Sequence, residues 1–202
     1  MGVSEVDCII ATEEKLKEVI FSEEMGEFKE NVINHLGIKN SNINILLEKI
    51  KTDSDGYKKN YTLAATFHKE NKIVFYTDAI ERYMKNKFKV YENTRNKEFY
   101  KKVLFIFIKR TLAHELVHVQ QIESYKLTDK IITENEDIQN NYSEYENLWY
   151  EKEANEKAKK IMLEEEDNFV KEIISHLDTK NQSPMQTSEF YMLVEKCIKK
   201  DS

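Results

Sequence analysis

The chain reads as an α+β protein, a small sheet followed by a largely helical second half. Three observations predict this. Alternating apolar residues concentrate between positions 43 and 77. Beyond position 97 the apolar spacing is helical almost throughout. One proline and four glycines in 202 residues leave few of the tight turns that an all-β chain needs. With 40% hydrophobic and 11% aromatic residues, the chain can bury a core.

Residues 12–36 place Leu16, Val19, Ile20, Phe28, Val32, Ile33 and Leu36 at helical spacing, and Gly37 marks the helix stop. Ile43, Ile45 and Leu47 alternate as in a strand. Asp53-Ser54-Asp55-Gly56 signals a turn. Tyr61–His68 and Ile73–Thr77 read as two strands of a hairpin joined by Lys69-Glu70-Asn71-Lys72. Helical character returns over Asp78–Lys87. Lys97 to about Tyr125 reads as one long helix whose middle, Val103–Val119, is apolar nearly all round, the pattern of a buried helix. A second long helix spans about Tyr142–Glu166 and another Asn168–Leu177. Thr179–Ser188, with Pro184, reads as a loop, and Glu189–Lys199 as a closing helix. No repeat or low-complexity linker divides the chain, so residues 1–202 are expected to form one domain: a sheet-containing part over about 1–96 and a helical part over about 97–202.

A net charge of −6 argues against nucleic acid as a partner. The lysines are interleaved with glutamates, and Lys85–Lys89 and Lys97–Lys102 read as solvated surface. Cys8 and Cys197 form no CxxC pair, and a reduced pair is the simpler expectation. The N-terminus has neither a basic region nor an apolar leader, and the most apolar run, Val103–Ile108, is interrupted by Lys109 and Arg110. A soluble, cytoplasmic protein without a membrane partner is therefore expected.

One pattern carries chemistry. His114-Glu115-Leu116-Val117-His118 is HExxH. On a helix, positions i and i+4 stack on one face a turn apart, so both imidazoles can meet one ion. Glu115 sits beside the first of them, where it can take a proton from a water that the metal activates. Two histidines and a glutamate inside the most apolar helix are costly to bury unless their polarity is used. Catalytic zinc needs a third protein ligand. The HExxHxxGxxH arrangement is excluded, because Val119-Gln120-Gln121-Ile122-Glu123 holds neither glycine nor histidine. The third ligand is then a carboxylate from the second long helix. Glu151 shares a face there with Ala154, Asn155, Ala158 and Met162, small enough for another helix to approach. Glu153 shares its face with Glu156, Lys157, Lys160 and Glu164, which suits solvent and an ion pair with Lys157. Glu151 is the expected ligand, and Asn155 a candidate to bond the far nitrogen of a ligand histidine.

These residues resemble the gluzincin metallopeptidases, in which HExxH on one helix is followed by Glu-x-x-small-Asp/Asn on another; Glu151-Lys152-Glu153-Ala154-Asn155 has that form. The pattern is also similar to compact ImmA/IrrE-type peptidases and to small bacterial and phage zincin-like domains. The resemblance covers roughly Tyr61–Met162 and implies a zincin-like fold, with a small mixed or antiparallel sheet packed on a central HExxH helix. It implies a Zn2+ cofactor held by His114, His118 and Glu151, with Asn155 supporting a histidine and Glu115 as general base. The expected function is a zinc-dependent peptidase acting on a peptide or protein substrate. The alternative is a zincin-like binding or regulatory module that holds zinc with little turnover. A helical interaction protein with an accidental HExxH is a third reading. Tyr142, Tyr145, Tyr150, Tyr191 and His176 are candidates by type for stabilising an oxyanion. His35 and His68 read as structural or exposed.

Overall fold

A computed structural model describes residues 13–52, 58–59, 62–87, 97–134, 142–164, 168–177 and 192. The turn signal at 53–56, the loop at 179–188 and, apart from Met192, the closing helix lie outside the described residues.

The architecture is mixed α+β, with a small open sheet and a largely helical C-terminal half. It begins with two helices, α1 (Glu13–Ile20) and α2 (Glu23–Leu36), where the periodicity suggests one. Ser22 makes the break. Its extended backbone caps α2, its hydroxyl oxygen accepts from Met25 N at 3.2 Å, and the hydroxyl donates to Val19 O at 2.8 Å. Apolar spacing runs straight through this junction because both helices bury the same side, through Leu16, Val19 and Ile20 and then Met25, Phe28, Val32 and Ile33. Gly37 ends α2 at φ 65°, with its N–H on Asn34 O.

The sheet has the order β1-β5-β4, with β1 (Asn44–Glu48), β4 (Ala64–Phe67) and β5 (Lys72–Tyr76). β4 and β5 form the antiparallel hairpin, Ala64 opposite Phe75 and Phe67 opposite Lys72. β1 runs parallel to β5, so the sheet is mixed and β5 is its middle strand. A separate ribbon pairs β2 (Lys51–Thr52) with β3 (Lys58–Lys59). Because side chains alternate along a strand, β5 feeds two cores. Ile73 and Phe75 join the main one, while Val74 and Tyr76 join Ala79 on the opposite face.

After α3 (Thr77–Lys87) comes α4 (Lys97–Glu123), which packs against α1, α2, β4, α7 and α8. Its apolar sequence matches that setting: Val103, Leu104, Phe107, Ile108, Leu112, Ala113, Leu116 and Val117 are all buried. A short α5 (Asp129–Glu134) follows. The expected long helix from Tyr142 is divided into α6 (Tyr142–Tyr145) and α7 (Trp149–Glu164). The chain turns between them through Asn147 N to Glu144 O and Leu148 N to Tyr145 O, both at 3.0 Å. α8 (Asn168–Leu177) closes the described chain against α4 and α7. Among the described residues, no helix is long and apolar enough to cross a membrane.

The open space around the Gly37 Cα isolates its backbone role, since a Cβ there meets nothing within 4 Å. Gly37→Ala is therefore expected to lower unfolding stability by about 1 kcal/mol through the left-handed φ alone, and Gly37→Asn by less. Urea denaturation measures both; an unchanged midpoint for the alanine variant would show that the helix ends by other means.

Candidate metal centre

α4 presents His114 and His118 one turn apart, and α7 lays Glu151 across them. The Nε2 atoms of the two histidines are 3.0 Å apart. His114 Nε2 is 3.2 Å from Glu151 Oε2, and His118 Nε2 is 3.3 Å from Glu151 Oε1. These separations are those of ligands sharing one ion: metal–ligand distances near 2.0–2.1 Å in a tetrahedron set ligand atoms about 3.3 Å apart. Among the described residues, this is the group of histidine, cysteine and carboxylate side chains placed to hold a metal. The donor set, two imidazole nitrogens and one carboxylate, suits zinc.

Close approach of the two helices makes this possible. Glu151, Ala154, Ala158 and Met162 form the buried face of α7, and the two alanines have no exposed surface at all. The opposite choice, Glu153, has a side chain only 26% exposed, and it is not simply solvated. It pairs with Lys157 at 3.0 Å and also accepts from Gln121 Nε2 at 2.9 Å.

The cluster is buried. Glu151 is 4% and His118 8% exposed, while the His114 side chain, at 16%, is the most open of the three. Burial alone would raise the Glu151 carboxyl, but hydrogen bonds and charge from His114 and His118 outweigh it and hold the group well below the usual carboxylate range. Burial likewise opposes a charge on His118. The hydrogen bond to Glu151 and its charge, then the charge of Glu115 and the bond to Gln121, reverse that and raise His118 to about 9.

Several neighbours tighten the arrangement. The Tyr145 hydroxyl donates to Glu151 Oε1. On an uninterrupted helix, residues six apart are about 9 Å distant along the axis and on different faces. The turn between α6 and α7 is what brings this phenol to the carboxylate. Burial first, and then the charge of Glu151, push the Tyr145 phenol far above its ordinary pKa, so it stays a donor. Tyr150 sets its ring edge-on to His118, with centroids 6.2 Å apart. His118 Nδ1 is 2.8 Å from Gln121 Oε1.

Glu115 stands outside the cluster of three and points to the sheet. Its Oε2 accepts from Thr66 Oγ1 at 2.8 Å, and it is 6% exposed. Thr66 shares its strand face with Ala64, on the side of β4 that faces α4, so its hydroxyl needs a partner there. Thr62 and His68 fall on the same alternation, so the sequence alone carries no signal that singles out Thr66. Asn155 Oδ1 accepts from Arg110 Nη2 at 3.4 Å, and the far nitrogen of His118 is 2.8 Å from Gln121 Oε1. His35 and His68 are not part of the cluster. The side chains of Tyr142, His176 and Tyr191 lie outside the described residues.

Compared with protein-family models, curated proteins and solved structures, the chain matches none. The expected kinship with gluzincin or ImmA/IrrE-type peptidases is thereby corrected. The His/His/Glu cluster is assembled in space from α4 and α7 and is not contained in one contiguous motif, and no family model carries the chain.

The shifts fix how metal-free protein responds to pH. His118 is raised above its ordinary value of 6.5, so its contribution to stability is complete below about 6.5 and is lost as pH climbs through about 9. Glu151 is depressed from 4.5, so its contribution is present above that value and is lost as pH falls through the lower, folded-state value. Thermal melts of chelator-treated protein should therefore peak between about pH 4.5 and 6.5 for this pair and decline toward pH 9. His118→Ala should remove the alkaline decline; a decline of the same size in that variant would assign it to other groups.

Proposed function

We propose that this protein is a zinc-binding module whose ion is held by His114, His118 and Glu151. The single observation that carries the reading is the convergence of two imidazole nitrogens, 3.0 Å apart, each 3.2–3.3 Å from one oxygen of the same carboxylate, within a buried site where an unpaired imidazole or carboxylate would be costly. The reading treats residues 1–202 as one domain. In support, one hydrophobic cluster runs from Leu16 on α1 through Ile73 on β5 and Leu112 on α4 to Leu177 on α8.

A second reading, hydrolysis of a peptide bond, is favoured by the position of Glu115. Zinc, when bound, supplies Lewis acidity that polarises a carbonyl and makes a nearby water easier to deprotonate. Glu115 follows the ligand His114 in sequence, and its Oε2 is held toward β4 by Thr66. In this reading the Glu115 carboxylate takes the water proton and hands it to the leaving amine. β4 is an edge strand of its sheet, so its free side can take an extended peptide by backbone hydrogen bonds. The Tyr145 hydroxyl, already committed to Glu151, orients that carboxylate.

Metal analysis after chelation and reloading separates these readings. Wild type is expected to retain about one zinc per chain, His114→Ala and Glu151→Ala to fall to background, and Glu115→Gln to keep its zinc. Zinc at background in wild type would end both readings. Turnover is then read with a fluorogenic peptide library. Peptidase activity requires that Glu115→Gln slow cleavage by about 10²–10⁴-fold. Equal rates in the two proteins would leave the zinc-binding module alone standing.

A further inference from the structure

Gln121 has no exposed surface, so water cannot substitute for any partner its carboxamide lacks. It lies three residues after His118, on the same face of α4. Its Nε2 donates to Tyr150 O at 3.0 Å and to Glu153 Oε2 at 2.9 Å, both on α7. A main-chain carbonyl and an ionised carboxylate can only accept. These two partners therefore hold the NH2 end of the carboxamide on the α7 side, and the oxygen end is left facing His118 Nδ1 at 2.8 Å. An amide oxygen can only accept, so His118 Nδ1 must carry a proton. In the neutral ring that a metal requires, Nε2 is then the nitrogen with a lone pair to offer, and it is Nε2 that faces His114 and Glu151.

We propose that Gln121 is the positioning residue that selects the metal-binding nitrogen of His118, and that its own orientation is set by α7. This rests on the zinc-binding reading above. The consequence is that α7 acts on the site twice. It supplies one ligand, Glu151, and through Tyr150 O and Glu153 it fixes the tautomer and ring orientation of a ligand on the facing helix. Glu153 is itself anchored by Lys157 at 3.0 Å, so the orienting chain runs from a surface lysine to the centre of the site. A Gln serving only to tie two helices together would affect folding stability but would have no reason to face an imidazole nitrogen.

The experiment uses the full chain and zinc itself. Zinc affinity is measured by competition with a chromophoric chelator, with the cobalt-substituted visible spectrum as a report on ligand geometry. Proton NMR follows the hydrogen-bonded ring proton of His118. Gln121→Met keeps the volume and removes the acceptor. It is expected to weaken zinc binding by about 10–100-fold and to abolish the Nδ1 proton signal. Gln121→Glu alone sets a second carboxylate beside Glu153 and should also weaken binding. Adding Glu153→Gln exchanges donor and acceptor between the two positions and should recover most of that loss. A folded Gln121→Met with wild-type affinity overturns the proposal. So does a double variant no better than Gln121→Glu, and this arm decides the matter if the methionine variant does not fold. If wild type binds no zinc, the underlying reading fails before any substitution is made, and this inference fails with it.

Discussion

Two imidazoles and a carboxylate meet at 3.0–3.3 Å, although they come from helices some thirty residues apart in sequence. That convergence shapes the C-terminal half. Neither helix can bury its share alone: a lone imidazole or carboxylate in this interior would go unsatisfied, and each group is solvated by the others. The pair therefore fixes both the distance and the register between α4 and α7. Ala154 and Ala158 keep the space between the helix axes small enough for Glu151 to reach across.

Polar side chains at the end of α4 then hold that helix against the rest of the molecule. Gln120 donates to Leu36 O at the end of α2, at 2.6 Å. Glu123 accepts from the backbone N–H groups of Lys39 and Asn40 at 2.8 and 3.0 Å, gripping the segment that leads to β1. Gln121, between them, reaches α7. Three residues within one turn thus tie α4 to three surrounding segments. Hydrophobic contact along Val103–Val117 supplies most of the burial, but it is directionless. The hydrogen bonds are what resist a rotation that would carry His114 and His118 away from Glu151.

On the other flank, β4 contributes Thr66 to Glu115. The sheet is small, yet it holds a carboxylate beside the His/His/Glu cluster without letting it join that cluster.

The sequence by itself determined the element types and the two histidines, because these depend on local spacing. HExxH puts two imidazoles on one helical face whatever surrounds them, and the alternation at Ile43, Ile45 and Leu47 selects strand over helix. The small face of Ala154 and Ala158 also singled out Glu151 over Glu153 from local geometry alone. Breaks within continuous periodicity were not legible: Ser22 separates two helices that both feed the main core, so the apolar pattern runs on, and the turn at 146–148 falls inside a stretch that reads as one helix. Only the tertiary structure decided the partners of buried polar groups. Thr66 with Glu115, Tyr145 with Glu151, Gln121 with His118 and Arg110 with Asn155 join residues by distance in space or across a turn, and a hydrogen bond of that kind leaves no periodic trace in the chain. The expectation that Asn155 would support a histidine rested on its helix face alone. One turn of helix places a side chain on a face, but it takes the neighbouring element to say which atom waits there.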